Sequence, residues 1–298
     1  MISVVGHTAI DHISRVPQFP PVNGSIHILD RKVYFGGGAA NIAAGIAKLD
    51  EPCTLVSAVG DDFPGSEYEQ WMERLGITRQ FFTIPNAHTA TAFMFTDEAG
   101  DQITFFEWGA SVAFEKENAP SLPFVHMATA DPGFNVRVAE RSEFATFDPG
   151  QDLQRYTKEQ LDAILGNINV LFANHHEIRG MEKILGTREQ EIINRVPMVV
   201  ITMGKEGSVL HENGHSSRIP AFPVTMADPT GAGDAYRAGF LTAYYRGYEP
   251  LTACKIGTIT ASFAVEKIGC QTNLPDWGQM EARYGKSFGS LLEPARSI

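Results

Sequence analysis

Residues 228–240 read Asp-Pro-Thr-Gly-Ala-Gly-Asp-Ala-Tyr-Arg-Ala-Gly-Phe, and this stretch decides how the rest of the chain is interpreted. Pro229 ends the preceding element, because a proline biases the residue before it away from the helical region. Residues 230–233 then form a loop almost free of side chains, which can turn sharply and lets another group approach its backbone. After Gly233 small residues recur at helical spacing, so the pattern predicts a glycine-rich loop that leads into a helix.

Such a loop and helix start form an anion site. The first N–H groups of a helix have no partner within it and lie at the positive end of its dipole, so phosphate is the expected anion. Asp234 is unusual, because a site built only to hold phosphate would not place a carboxylate in the first turn. A site that also deprotonates a hydroxyl group beside that phosphate would do so. The alternative is that Asp234 only complements the helix dipole, for roughly a few tenths of a kcal/mol.

The composition narrows the class of protein. The chain has 298 residues, of which 43% are hydrophobic and 20% charged, as is typical of a soluble globular protein. The net charge is −11 without a run of lysine or arginine, which argues against nucleic acid as the main partner. There is no leader pattern and no run of about 18 apolar residues, so we expect neither secretion nor membrane spanning. Three cysteines without C-x-x-C spacing predict reduced thiols in a cytoplasmic protein: Cys53, Cys254 and Cys270.

The alternation of strand and helix patterns predicts an α/β fold. Short apolar runs at residues 2–5, 54–59, 170–173 and 198–202 are typical of buried strands, and helical patterns lie between such runs. This order favours a mostly parallel sheet that is covered on both faces. Residues 276–298 show little pattern, and we expect them to cover the surface.

The middle of the chain departs from this alternation. Residues 91–96 and 102–108 are typical of aromatic-rich strands, and residues 97–101 between them form a good hairpin turn. A hairpin within an α/β series indicates a small β flap that projects from the main domain, together with the strand-like residues 25–35. The alternative is an antiparallel edge of the main sheet.

Polar residues follow the predicted strands at their ends. Ligands bind beyond the carboxyl ends of the strands in α/β sheets. Four predicted strands are followed there by polar residues or glycines: Asp11, Asn174 with Glu177, Thr202 with Gly204, and residues 228–234. Because the strands themselves are apolar, these positions predict a single cleft.

Five segments in this order resemble the signature motifs of the ribokinase-like (PfkB) carbohydrate and nucleoside kinases. They are Asp11, residues 36–41 (Gly-Gly-Gly-Ala-Ala-Asn), residues 174–177 (Asn-His-His-Glu), residues 202–207 (Thr-Met-Gly-Lys-Glu-Gly) and residues 228–240. The resemblance runs from about residue 1 to 275 and is to the microbial nucleoside kinases in particular. It implies a three-layer α/β fold with a mostly parallel central sheet and a small β-sheet lid. We therefore expect one ribokinase-like domain over residues 1–298, with lid segments at about 12–36 and 84–112.

The resemblance also implies roles for individual residues. The expected catalytic groups are the base Asp234 and the loop residues Gly231, Ala232 and Gly233. The expected substrate-binding residues are Asp11, Gly36, Gly37, Gly38 and Asn41. The expected ATP-binding residues are Asn174, Thr202, Gly204, Gly207, Thr230, Gly231 and Gly233. Glu177 is expected to help to place a magnesium ion (Mg²⁺) through water.

Structural alternatives exist for these motifs. Asn174 and Glu177 are also the pattern of a helix N-cap with its first-turn acid. Residues 202–207 could form an ordinary turn, and residues 36–41 a tight strand-to-helix turn. Arg237 stands where many family members carry a small or apolar residue, and either a phosphate or a surface contact would explain it.

The implied reaction is transfer of the γ-phosphoryl group of ATP to a primary hydroxyl group. The aromatic residues of the flap favour stacking of a nucleobase, and hence the 5′-hydroxyl group of a ribonucleoside: Phe93, Phe95, Phe105, Phe106 and Trp108. The alternatives for these rings are a flap core or a homodimer interface through the lid. The alternative functions are a sugar kinase for ribose, fructose or similar, and a catalytically silent binding protein. Family members often also use a monovalent cation such as potassium near residues 228–234.

Overall fold

The central sheet has nine strands within residues 1–294, which are the residues described by the computed structural model. In spatial order they are β13 (His215–Ile219), β12 (Ser208–Glu212), β11 (Met198–Thr202), β10 (Val170–Asn174), β9 (Phe144–Phe147), β8 (Phe124–Met127), β1 (Ile2–Val5), β4 (Cys53–Gly60) and β5 (Thr78–Ile84). Neighbours from β11 to β5 pair in parallel, whereas β11, β12 and β13 pair antiparallel. The predicted mostly parallel sheet is thus confirmed.

Helices cover both faces of this sheet. They are α1 (Gly38–Lys48), α2 (Glu67–Arg74), α3 (Pro132–Ala139), α4 (Lys158–Leu165), α5 (His175–Leu185), α6 (Glu189–Ile193), α7 (Ala232–Tyr245), α8 (Pro250–Ala264) and α9 (Trp277–Phe288). Successive side chains of a strand point to opposite faces, and Leu171 and Phe172 accordingly belong to two different buried apolar clusters. One cluster includes residues of α1, α7 and α8, and the other includes residues of α3, α4 and α5. The fold is therefore three-layered.

Small residues bring α7 and α8 close together. A Cβ atom on Gly239 would lie 2.9 Å from the Cα atom of Gly257 and 2.4 Å from Oγ1 of Thr260. Only a residue without a side chain fits at this contact. The stripe of small residues after Gly233 therefore serves close helix packing, as the sequence predicts.

The four remaining strands of residues 1–294 form a separate small sheet. Its spatial order is β3 (Asp30–Gly36), β2 (Ala9–Arg15), β6 (Ala90–Thr96) and β7 (Gln102–Glu107). The hairpin of β6 and β7 therefore belongs to the flap and not to an edge of the main sheet. The strand predicted at 25–35 begins only at Asp30, and β2 has no counterpart among the predicted strands, because its apolar residues are interrupted by Asp11 and His12.

Residues 276–298, which show little pattern in the sequence, nevertheless contain the helix α9 over Trp277–Phe288. The helix begins at a capping box in which the Asp276 side chain accepts from the N–H of Gln279, and the Gln279 side chain accepts from that of Asp276. This Asp-x-x-Gln pattern is a signal that the sequence carries. Residues 295–298, the end of the predicted domain, lie outside the described part. Within residues 1–294 no helix combines the length and apolarity needed to cross a bilayer.

Candidate active site

The loop before α7 is held in shape by its own first residue. Asp228 accepts hydrogen bonds from the N–H of Thr230 (2.9 Å) and of Gly269 (3.4 Å). Gly231 precedes the helix with φ of +80°, and a Cβ atom there would lie 2.8 Å from that of Cys270. Glycine alone satisfies both the left-handed backbone and this close contact. The loop therefore leads directly into Ala232, the first residue of α7. The first N–H groups of this helix have no partner within it and are available to a ligand.

Asp234 lies in the first turn of α7, as predicted. Its Oδ2 accepts a hydrogen bond from Nδ2 of Asn41 at 2.9 Å. Burial raises the pKa of Asp234 to about 6, while the neighbouring Arg237 and the Asn41 hydrogen bond act in the opposite direction. The carboxylate is thus mostly ionised at neutral pH, yet basic enough to accept a proton.

Arg237 is buried, which excludes the surface contact considered above. Its Nη2 lies 2.7 Å from Oδ2 of Asp148, and its Nη1 lies 3.8 Å from Oδ1 of Asp234. A Cβ atom on Gly233 would lie 2.5 Å from Nη1, so the guanidinium group lies against the start of the helix. Burial raises the pKa of Asp148, and Arg237 opposes this effect. Sequence reasoning missed Asp148, although it directly follows β9, whose residues 144–147 are also typical of a strand, and so matches the pattern of the other strand-end residues.

The glycine-rich segment 36–41 contacts Asp11 and Asp234. A Cβ atom on Gly36 would lie 2.1 Å from the carboxyl carbon of Asp11, and one on Gly38 would lie 3.9 Å from Oδ1 of Asp234. Gly37 has φ of +91°, which fits the tight strand-to-helix turn expected as the structural alternative. Asp11 is buried, and burial, followed by the charges of Asp234 and Asp228, raises its pKa to about 7. The predicted substrate residues therefore lie beside the predicted base.

A cavity of about 510 Å³ lies against the start of α7. Four of the predicted nucleotide residues line it together with Ala232: Thr202, Gly204, Gly207 and Gly233. Apolar side chains including Phe222, Val224 and Val265 complete the wall, as is common for pockets that hold a flat ring. The other three predicted nucleotide residues, Asn174, Thr230 and Gly231, are not among those that line this cavity.

Asn174 and Glu177 form the capping box of α5. Oδ1 of Asn174 accepts from the N–H groups of His176 and Glu177 at 2.8 and 2.9 Å, and Oε2 of Glu177 accepts from the N–H of Asn174 at 2.7 Å. The expected structural alternative is thus present. Burial and the charge of Asp148 raise the pKa of Glu177 to about 7. One oxygen engaged in a cap leaves the carboxylate able to bind a hydrated ion as well.

Glu177 and the carboxylates near it suit a hydrated magnesium ion better than a metal ion whose ligands all come from the protein. Within residues 1–294 no group of three or more histidine, cysteine, aspartate or glutamate side chains is arranged around a common metal position. Mg²⁺ usually keeps several waters and takes further oxygens from the substrate phosphates. The charges of Asp148, Arg237 and Asp234 all act on Glu177, so it belongs to the same group of charged side chains as the predicted base.

The aromatic side chains of the small sheet divide between its two faces. Phe106 pairs across the sheet with Ala92, and Ala92 with Asp11, so Phe106 shares the face of Asp11. Phe106 and Trp108 also contact the ring of His7, at centroid distances of 5.0 and 4.7 Å. The opposite face carries Phe93, Phe95 and Phe105, the last of which is 62% exposed. Only the first group lies on the side of the predicted substrate residues.

Comparison with known proteins agrees with this geometry. Residues 1–277 match the pfkB family of carbohydrate kinases, and the chain therefore belongs to this family. It is 42% identical over 292 residues to a nucleoside kinase of Methanocaldococcus jannaschii. This alignment covers 96% of this chain and 97% of that protein. A nucleoside kinase of Methanothermobacter thermautotrophicus is also 42% identical, over 296 residues and 96% of each chain.

Solved structures give the same assignment. The crystal structure of the Methanocaldococcus jannaschii nucleoside kinase, a ribokinase family member, matches with a TM-score of 0.90 over 96% of this chain and 98% of that one. Burkholderia thailandensis nucleoside kinase in complex with inosine matches with a TM-score of 0.88 and 26% identity over 99% of each chain. The ribokinase-like fold is confirmed. The protein is a phosphotransferase with an alcohol group as acceptor, and it binds ATP as its family does.

Proposed function

We propose that this protein transfers the γ-phosphoryl group of ATP to the 5′-hydroxyl group of a ribonucleoside, with Asp234 as the base. The observation that supports this most directly is the position of the Asp234 carboxylate. It lies beside Gly38, in the segment whose Gly36 contacts Asp11, and it directly follows Gly233, which lines the cavity. An acceptor hydroxyl group and a terminal phosphate bound at these two places would meet at Asp234.

Each group then has a defined part in the reaction. Asp11 accepts hydrogen bonds from sugar hydroxyl groups, and the segment 36–41 lets the sugar approach the backbone. Asp234 takes the proton of the 5′-hydroxyl group. The 5′-oxygen forms a bond to the γ-phosphorus while the bond from that phosphorus to the leaving ADP oxygen breaks. The N–H groups of Ala232, Gly233 and Asp234 stabilise the charge on the transferred group.

The remaining predicted ATP contacts complete the proposal. Thr202, Gly204 and Gly207 hold the nucleotide along the cavity, and Asn174 and Thr230 contact its phosphates. The kinases of this family use ATP with Mg²⁺, which neutralises phosphate charge when bound. Glu177 would hold this ion through water.

A nucleoside acceptor is favoured by two independent observations. The most similar curated relatives described above are nucleoside kinases, and a structural neighbour was solved with inosine. Phe106 and Trp108 lie on the Asp11 side of the small sheet, where a nucleobase attached to a bound ribose could stack on them. The small sheet then acts as a lid over the nucleoside within a single domain.

The base assignment is tested by Asp234→Asn. We expect turnover to fall by roughly 10²-fold or more, because the amide cannot accept the proton. The affinity for ADP, measured by titration calorimetry, should change little, because the N–H groups of α7 remain in place. Full turnover in this variant would remove Asp234 from the role of base.

The acceptor is tested by ADP release with a panel of ribonucleosides, ribose, fructose and fructose 6-phosphate. We expect a higher kcat/KM for ribonucleosides. A clear preference for ribose or fructose would instead assign the protein as a sugar kinase. Binding of ATP and nucleoside without any ADP release would assign it as a silent binding protein.

Three further proposals concern the oligomeric state, the monovalent cation and the location of the enzyme. We propose a homodimer through the outer face of the small sheet, where Val33, Ile103 and Phe105 are exposed. Phe105→Glu should then convert a dimer into a monomer in sedimentation velocity, and an unchanged mass would exclude this interface.

We also propose activation by potassium, seen as a higher rate in potassium chloride than in choline chloride. A cytoplasmic location is consistent with three buried free thiols, which are Cys53, Cys254 and Cys270.

A further inference from the structure

We infer that Gln271, Tyr68 and Trp71 form a directional hydrogen-bond relay that joins the end of the small sheet at Gly36 to the carboxylate of Asp234. These three are positioning residues, because they act on the base through Asn41. The inference rests on the proposed role of Asp234 and adds residues that no sequence motif identifies.

The relay is a continuous set of hydrogen bonds, and those that Gln271 donates to Asn41 and Tyr68 are buried. Nε2 of Gln271 donates to Oδ1 of Asn41 at 2.9 Å and to the hydroxyl oxygen of Tyr68 at 2.7 Å. Oε1 of Gln271 accepts from the indole N–H of Trp71 at 2.9 Å. Asn41, Tyr68 and Gln271 are all buried, so water does not compete for these contacts.

The direction of every bond is fixed by the ends of the relay. The indole N–H of Trp71 can only donate, so it fixes which end of the Gln271 amide carries the oxygen. Gln271 must then donate to Asn41, which leaves the Asn41 amide nitrogen to donate to Asp234. A carboxylate can only accept, and so both ends of the chain require the same orientation of the two amides.

This orientation matters for the base. A hydrogen bond donated to an ionised carboxylate favours the ionised form. If the Asn41 amide turned over, its oxygen would face the Asp234 carboxylate, and the ionised form would lose this support. Gln271 prevents the turn, because its amide nitrogen would then face the amide nitrogen of Asn41.

The second branch reaches the small sheet. The hydroxyl group of Tyr68 donates to the carbonyl oxygen of Gly36 at 2.8 Å, and its ring stacks on Phe35 at a centroid distance of 4.4 Å. Gly36 is the last residue of β3 and contacts Asp11, which is the proposed sugar ligand. The position of the sheet end and the orientation of the base are therefore set by the same glutamine side chain.

The relay itself carries no charge. The titratable groups whose charges act together with that of Asp234 lie outside the relay: Arg237 on α7, Asp148 after β9, Asp11 on β2, Glu177 on α5 and Cys270 after α8. Removal of a relay group therefore changes hydrogen bonding to Asp234 without changing the charges around it. This makes the pH dependence of catalysis a selective readout.

The test compares Gln271→Met and Tyr68→Phe with the wild-type protein. Gln271→Met keeps a side chain of similar length but cannot donate to Asn41. We expect the acid limb of its pH profile to move up by about one unit and kcat/KM at pH 7 to fall about twofold, because the ionised fraction of Asp234 falls from about nine-tenths to about a half. Tyr68→Phe keeps the ring stack and loses only the hydroxyl group, so we expect a smaller fall and a smaller shift in the same direction.

The matched control is Tyr284→Phe, which makes the same chemical change at a buried tyrosine of α9. It should leave both kcat/KM and the acid limb unchanged. A Gln271→Met protein that loses activity equally at every pH, with its acid limb in place, would assign Gln271 to packing alone. If Tyr68→Phe behaves like Tyr284→Phe, the branch to the small sheet is refuted, and this variant decides the matter even if Gln271→Met does not fold.

A double variant separates this inference from the proposed function. If Gln271 acts through the base, Gln271→Met should cause no further loss of turnover in the Asp234→Asn background. A further loss there of the same size as in the wild-type background would place the effect of Gln271 elsewhere. If Asp234→Asn alone keeps full turnover, the proposed base fails whatever Gln271→Met does. If Asp234→Asn is slow but Gln271→Met matches the wild type, only the relay fails.

Discussion

Replacing Arg237 by glutamine should move the acid limb of the kcat/KM profile to higher pH. Nη1 of Arg237 lies 3.8 Å from Oδ1 of Asp234, and its positive charge favours the ionised carboxylate. Without it, the pKa of Asp234 rises further above its usual value. The base is then protonated, and activity is lost, over a pH range in which the wild-type protein is active.

The size of the effect follows from the distance. Two unit charges about 4 Å apart interact by about 4 kcal/mol at an effective dielectric constant of about 20. Arg237 lies nearer to Asp148, at 2.7 Å, and the side chain of Asp234 is 21% exposed, so only part of this energy acts on Asp234. We expect the pKa of Asp234 to rise from about 6 by about one to two units, or about 1.4 to 2.7 kcal/mol.

These values predict a measurable loss of rate. With a pKa of about 6, about nine-tenths of Asp234 is ionised at pH 7, and in the variant about a half to a tenth remains ionised. The kcat/KM at pH 7 should therefore fall about two- to tenfold and recover near pH 9. The assay is ADP release at low acceptor concentration across this pH range, because kcat/KM reports the free enzyme.

Asp148 provides the matched control. Removing Arg237 alone leaves a buried carboxylate without its partner, and breaking such a pair costs about 3–5 kcal/mol. The double variant Arg237→Gln/Asp148→Asn removes one positive and one negative charge near Asp234, so its acid limb should return close to the wild-type position. Asp148→Asn alone should move the acid limb to lower pH. Only an electrostatic effect on the base predicts this order of acid-limb positions among the three variants.

A uniform loss of kcat/KM at every pH, without movement of the acid limb, would refute this reasoning. Such a result would instead favour the other explanation considered for Arg237, which is direct contact with the transferred phosphate.

Three further changes have expected outcomes. Gly36→Ala places a Cβ atom 2.1 Å from the carboxyl carbon of Asp11, so the acceptor KM should rise about tenfold or more while calorimetric ADP affinity is unchanged. Gly239→Ala forces α7 from α8 and should lower the free energy of unfolding in urea by about 1–3 kcal/mol, whereas Gly285→Ala, with nothing within 4 Å, should not lower it. Glu177→Gln should raise the Mg²⁺ concentration for half-maximal rate several-fold, and an unchanged requirement would separate Glu177 from the ion.

The sequence by itself determined the local elements that surround the site. Uninterrupted apolar runs such as residues 170–173 and 198–202 form buried parallel strands, because both of their faces are covered by helices. The glycine-rich loop at 228–233 and the helix after it are equally local, since they depend on which backbone angles those few residues allow. The missed elements include β2, whose polar residues interrupt its apolar pattern, the edge strand β5, and α9, whose capping box was overlooked.

Only the tertiary structure decided which side chains meet at Asp234. Asn41 precedes this residue by 193 positions, and Gln271, which orients Asn41, follows Asn41 by 230 positions. The pairing of Arg237 with Asp148 likewise joins α7 to the end of a strand far away in the sequence. Contacts of this kind depend on the order of strands in the sheet and on how closely the helices pack, and local residue patterns specify neither.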